Sequence, residues 1–147
     1  MKFEVNVKKE NEFAFDFPEL GCEVEIEHDE SLPVNIRASA ALCEALNSIR
    51  RSRKQIPLPD NHDGCKIPLV LELKIKLWNY MCKNRYRGVD LAKKLQMSEQ
   101  KVARILNFAY PSDLSRVVEA CESLGLEVII DVRENFLKRK KLGRLPS

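Results

Sequence analysis

"GVDLAKKLQMSEQKVARIL", residues 88–106, decides how this chain is read. It consists of two short helical segments separated by a three- or four-residue break, and both segments are basic: Lys93 and Lys94 in the first, Lys101 and Arg104 in the second. In a helix-turn-helix a small residue stands where the two helices press together, and Ala92 fills that place. Leu91, Leu95, Met97, Val102 and Ile105 have the spacing that locks the crossing of two such helices. The turn usually holds glycine, but here it holds Gln96, which carries backbone strain if its φ is positive. Ser98 can cap the second helix. That helix then presents Glu99, Gln100, Arg104 and Asn107 outward. These types suit base edges: Arg for guanine, Gln and Asn for adenine, Glu for cytosine. Lys93, Lys94 and Lys101 are placed to meet phosphates. The competing reading of the same residues is an ordinary helical hairpin with a solvated basic face.

On the N-terminal side the period is two. Phe3, Val5 and Val7 share one face, as do Phe13, Phe15 and Phe17, and then Cys22, Val24 and Ile26, while Glu23, Glu25 and Glu27 point the other way. Short connections at "KKENE" and "PELG" make the three strands antiparallel neighbours. After "HDESLP" the period becomes helical: Val34, Ala38, Ala41, Leu42, Ala45 and Ile49 recur from a Ser31 cap and an early Pro33. Residues 1–54 therefore form a βββα unit. Residues 55–68, with their prolines, read as a linker with a possible short strand near 66–69. Asp60, His62, Asp63 and Cys65 fall in this stretch. They are too few for a metal set and read as a polar turn.

Four helical patterns follow, at about 69–84, 89–95, 99–106 and 113–124, the last capped by Ser112 and stopped by Gly125. "LEVIIDV" (126–132) alternates as a closing strand. Ile129 lies off its apolar face, between two acids, so Val128, Ile129 and Ile130 are the expected contact of a homodimer. The basic segment 133–147 reads as a mobile tail.

Composition bounds the rest. A chain of 147 residues, 44% of them hydrophobic, holds one medium domain or two small ones. No apolar run approaches the roughly 20 residues that span a bilayer. The N-terminus has no signal-peptide pattern, so a cytoplasmic protein without membrane partners is expected. Five cysteines, with no CxxC pair, point to buried thiols rather than a disulfide or zinc framework. The net charge of +3 hides an asymmetry: residues 1–60 carry −4 and residues 61–147 carry +7. Such a split suggests two halves with differently charged partners.

The order of pieces is "MKFEV", a βββα unit with "FDFPELGC", then "IPLP", then "KIPL" leading into the 88–106 pair, then "LGLEVIID". Over residues 1 to about 132 this resembles the HicB antitoxins with a C-terminal helix-turn-helix. The chain departs from the family pattern at Glu12-Phe13, at "HDESLPVN" and in a "FPELGC" one residue short. The resemblance implies an α+β fold: an N-terminal partial RNase H-like (HicB-like) domain, then an all-α helix-turn-helix DNA-binding domain over 69–132 with the closing strand. It implies an antitoxin that masks HicA, a small ribonuclease toxin, and binds its own operator as a dimer. The first 32 residues carry ten acids and three bases, which suits a basic RNA-binding partner. Asp16, Phe17, Glu19, Glu23, Glu25 and Glu27 are the expected toxin contacts.

Catalysis is not expected. Nuclease chemistry needs several carboxylates converging on metal, and Glu23, Glu25 and Glu27 are spaced for one strand face in solvent. His28 and His62 lack an evident partner set. No cofactor is implied. The rival from another class is a lone helix-turn-helix regulator whose N-terminal domain senses a protein or small ligand.

Overall fold

A computed structural model of the chain describes residues 1–8, 10–59, 65–132 and 134. The tail from 135 onward and the Asp60–Asp63 turn lie outside the described residues.

The fold is α+β. Phe13, Phe15 and Phe17 are all buried, which fixes one face of β3 (Ala14–Phe17) as the floor of the core. β2 (Asn6–Val7) and β4 (Cys22–Glu25) pair with it on either side, both antiparallel, to give the sheet order β2-β3-β4. A short 3-10 turn at Pro18–Leu20 joins β3 to β4 and ends on Gly21 at φ 64, a left-handed position that glycine takes without strain. The first expected strand is broken in two. Phe3 is buried in β1 (Lys2–Phe3), whereas Val7 in β2 is exposed, so the chain changes sheets between them. β1 pairs antiparallel with β5 (Cys65–Lys66), with Lys2 opposite Lys66.

α1 (Val34–Arg51) lies across the three-stranded sheet. Its stripe of Ala38, Ala41, Leu42, Ala45 and Leu46 is buried against Phe3, Phe15 and Phe17. Burying each large side chain stabilises by about 1.5–3 kcal/mol. Its expected Ser31 cap does not form. The Ser31 hydroxyl and amide both turn to Asp29, and the helix begins after Pro33 with no side-chain cap.

α2 (Leu69–Lys83) serves two cores at once. Leu71, Ile75 and Trp78 join the sheet-side core, as do Ile56, Ile67 and Phe108. Leu77 and Met81 join a second core made by α3 (Gly88–Leu95), α4 (Glu99–Leu106) and α5 (Leu114–Ser123). The Trp78 indole N–H donates to the Lys54 carbonyl (2.8 Å), and Asn79 exchanges two hydrogen bonds with the Ile56 backbone. These bonds pin the chain leaving α1 onto α2.

The closing strand is absent. Residues 126–132 follow α5 without regular structure, and Ile129, Ile130 and Val132 are exposed. A strand exists only through backbone pairing, and no edge in the described residues pairs with this segment. α5 also starts from Asp113 rather than on a Ser112 side-chain cap. No helix among the described residues is long and apolar enough to cross a membrane.

Candidate nucleic-acid interface

The 88–106 stretch forms α3 and α4 with a three-residue connection. α3 starts where the Asp90 carboxylate accepts the Arg87 amide (2.8 Å), which satisfies one of the orphan donors of the first turn. It ends on Gln96 at φ 53, ψ 46, a left-handed backbone held by a non-glycine residue. Because the chain reverses there, the Met97 amide reaches back to the Ala92 carbonyl (3.1 Å). Ser98 then accepts the Lys101 amide (3.2 Å) and opens α4. Leu91, Ala92, Val102 and Ile105 are buried together, with Leu95 and Met97 packed beside them, so the angle between the two helices is set by side-chain packing.

With that face buried, Glu99, Gln100, Lys101 and Arg104 are all exposed, as are Ser98, Lys93 and Lys94. The Arg104 guanidinium lies 5.6 Å from the Tyr110 ring centre, a cation–π contact that leaves its donors accessible. An open groove beside α4 is lined by Lys101, Arg104, Tyr110 and Arg116. Tyr110 and Arg116 did not stand out in the sequence, because they reach this groove from the α4–α5 loop and from α5.

Asn107 is placed differently from expectation. It stands half-buried at the end of α4, and its Oδ1 accepts from Asn47 Nδ2 on α1 and from the Ala109 amide (both 2.9 Å). Asn47 is itself buried, and its Oδ1 accepts the Phe108 amide (3.0 Å). Lys74 completes the clasp from α2. Its ammonium is buried and donates to the carbonyls of Tyr110 (2.6 Å), Asn107 (2.9 Å) and Arg104 (3.4 Å). The Arg104 carbonyl belongs to the last turn of α4, at the negative end of its dipole, and those of Asn107 and Tyr110 lie in the chain just after it. Burial still pulls Lys74 down to about 8. A buried Asn and a buried Lys, from two other helices, thus fix the exit of α4. Their partners lie thirty to sixty positions away, beyond the reach of any local pattern.

On the opposite half, the expected acidic contacts divide. Glu23 and Glu25 project from β4 into solvent and Glu27 follows just beyond it. Glu23 pairs with Lys8 (3.1 Å), and Glu25 accepts from His28 (2.8 Å), which holds its carboxyl below the usual range. Asp16 is half-buried. Glu19 is half-buried too; one oxygen accepts the Glu4 amide and the other is buried without a hydrogen bond. Phe17 is 1% exposed and belongs to the core, so it does not form a surface contact. Its place on the buried face follows from the period-two pattern it shares with Phe13 and Phe15. No group of three or more His, Cys, Asp or Glu among the described residues is placed to hold a metal.

Cys22, Cys43 and Cys82 are half-buried free thiols, and Cys121 is buried; burial pushes its thiol up to about 11.

No family model matches the chain. It is 25% identical over 97 residues to "Antitoxin HicB" of Pseudomonas fluorescens, an alignment covering 63% of this chain and 66% of that protein. It is 26% identical over 90 residues to "Antitoxin HicB 2" of Photorhabdus laumondii, covering 60% and 65%. The chain spans just under two-thirds of the length of these curated relatives. These matches bear out the resemblance read from the sequence: the chain is related to the HicB antitoxins.

Proposed function

We propose that the chain is the antitoxin of a type II toxin–antitoxin pair, a regulatory protein rather than an enzyme. In this reading it binds and masks a HicA-like mRNA-cleaving toxin, and it binds its own operator DNA as an autorepressor. The β2-β3-β4 sheet with α1 is the partial RNase H-like, toxin-binding unit (residues 1–54), and 55–68 is the linker. Residues 69–132 are the DNA-binding unit, with α3–α4 as its helix-turn-helix. The exposed acids Glu23, Glu25 and Glu27 suit a basic ribonuclease. A single helix-turn-helix makes few base contacts, so a homodimer on half-sites about 34–36 Å apart completes the reading.

One observation supports the DNA half most strongly. Glu99, Gln100, Lys101 and Arg104 stand exposed on a helix whose start is capped, whose inner face is packed and whose end is clasped by Asn47 and Lys74. Such a frame presents base-reading side chains without paying ordering entropy at binding. Gel-shift titration of the DNA upstream of the gene, at several salt concentrations, tests it. Arg104→Ala should weaken specific binding by about 1–3 kcal/mol and relax preference at one base pair per half-site. Lys94→Ala should weaken binding to every sequence and flatten the salt dependence. Equal losses on operator and random DNA for Arg104→Ala would remove it as a base reader.

A second reading has its own support. An apolar cavity of about 350 Å³ lies between α1, the start of α2 and the 108–112 loop, lined by Leu42, Cys43, Leu71 and Phe108. A small ligand there would touch the loop that follows α4, as in a stand-alone regulator with no toxin. The neighbouring gene separates the two: a small basic ribonuclease favours the antitoxin.

A further inference from the structure

The end of α1 reads "RRSRK" (50–54), which the sequence explains only as a helix terminus. In the structure it faces α3 across an open cleft of about 420 Å³. Arg50, Arg51 and Arg53 line one side and Arg87 the other, with Gly88 and Val89 of the α3 N-terminus between them. A helix C-terminus attracts basic residues by itself. That accounts for Arg50 and Arg51, in the last turn of α1, but not for Arg53 past its end or for Arg87 on another element.

The charges in the cleft are poorly balanced. Arg51 pairs with Glu44 of its own helix (3.3 Å), and Arg87 lies 3.7 Å from Asp90 of its own. The Arg50 guanidinium is spent on the neutral Asn47 (3.2 Å), and Arg53 has no carboxylate partner among the described residues. Four cations are thus gathered around a cleft whose wall, among the described residues, includes one acid, Glu99. Like charges held together in a concave surface raise its potential and favour an anion from solution.

The cleft is also continuous with the proposed reading face. Glu99, which opens α4, lines both this cleft and the neighbouring depression that holds Lys93, Gln96 and Lys101. A polyanion lying along α4 would therefore pass from the lysines of α3 into the arginine cleft.

We propose that Arg50, Arg51, Arg53 and Arg87 form a phosphate-backbone contact for duplex DNA, so that the sheet-bearing half of the chain, through the end of α1, contributes to the DNA footprint. This rests on α3–α4 being the DNA-binding element. It extends that reading, because three of the four arginines lie outside residues 69–132.

The test uses the full chain with the double substitution Arg51→Gln, Arg53→Gln, both at exposed positions. A control, Lys76→Gln with Lys83→Gln, removes the same charge from exposed positions on α2. Binding to operator and to random-sequence duplex is titrated from low to high salt. Each lost phosphate contact should flatten the slope of log affinity against log salt by about 0.9. The arginine variant is expected to lose up to about 1.8 in slope, equally on both duplexes, with the operator preference kept and the control unchanged. A slope equal to that of wild type, or to that of the control, overturns the cleft as a phosphate contact. So does a wild-type chain that binds no duplex at all. A wild-type chain that binds duplex without operator preference defeats the repressor reading but leaves this slope test intact.

Discussion

Gln96 is the residue on which the geometry of the α3–α4 pair turns, and its replacement gives a quantitative test. Its backbone is left-handed, φ 53 and ψ 46, with an exposed side chain. For an L-residue that conformation costs roughly 1–2 kcal/mol. Glycine removes most of that cost but adds about 0.4–1 kcal/mol of unfolded-state entropy. The difference makes Gln96→Gly stabilising by about 0.5–1 kcal/mol. In a chain of this size that is a rise of roughly 2–4 °C per kcal/mol in the unfolding midpoint. Gln96→Val is the counter-variant. A β-branched side chain is a genuine outlier at positive φ, so it should lower stability by about 1 kcal/mol or more. Thermal and urea unfolding of the three proteins measure both shifts. A glycine variant less stable than wild type, together with a neutral valine variant, would refute the reasoning. The turn would then be held by the Gln96 side chain and not by the backbone demand.

Two further outcomes follow from buried and exposed groups. Lys74 titrates near 8 in the folded chain against 10.5 for a free lysine, so between those values the unfolded chain holds more protons and stability rises with pH. Cys121, raised from 9 to about 11, acts oppositely and lowers stability as pH climbs past 9. Between pH 8 and 9 the Lys74 effect should therefore dominate this pair, and Lys74→Met should abolish the rise seen in denaturant midpoints; a rise that survives in the variant assigns it elsewhere. Separately, Ile129 is 79% exposed in the segment after α5, flanked by Val128 and the exposed Ile130. If this segment supplies the dimer contact, Ile129→Lys should shift sedimentation towards monomer at micromolar concentration. A wild-type monomer with full operator affinity would count against the contact.

The parts legible in the sequence were those fixed by local periodicity and backbone chemistry. Phe13, Phe15 and Phe17 alternate because one face of β3 is buried, and Ser98 caps because the first amides of α4 need an acceptor. At Gln96 strain was legible only on the condition of a positive φ, and the structure meets that condition at φ 53. Residues whose surroundings come from distant chain were not legible. α2 reads in the sequence only as a helical pattern over about 69–84. It is buried on two sides because Leu71, Ile75 and Trp78 meet the sheet-side core. Lys74 and Asn47 read as ordinary polar residues, and only the carbonyls and amides of residues 104–110 explain their burial. The same limit misplaced Asn107, which sits on the outward side in a helical projection but is drawn inward by Asn47. The alternation at 126–132 suggested a strand, but alternation supplies no partner edge.

The antitoxin reading is tested most directly by RNA cleavage. The product of the gene next to this chain's own is purified, and any cleavage of an mRNA by it is followed while the full chain is titrated in. Cleavage is expected to stop once the chain reaches the toxin's concentration. Charge reversal at Glu23 and Glu25 should raise the amount needed several-fold, with folding unchanged, since both side chains are exposed. Undiminished cleavage at a large excess of folded, DNA-binding chain would contradict the antitoxin reading and leave the stand-alone regulator in its place.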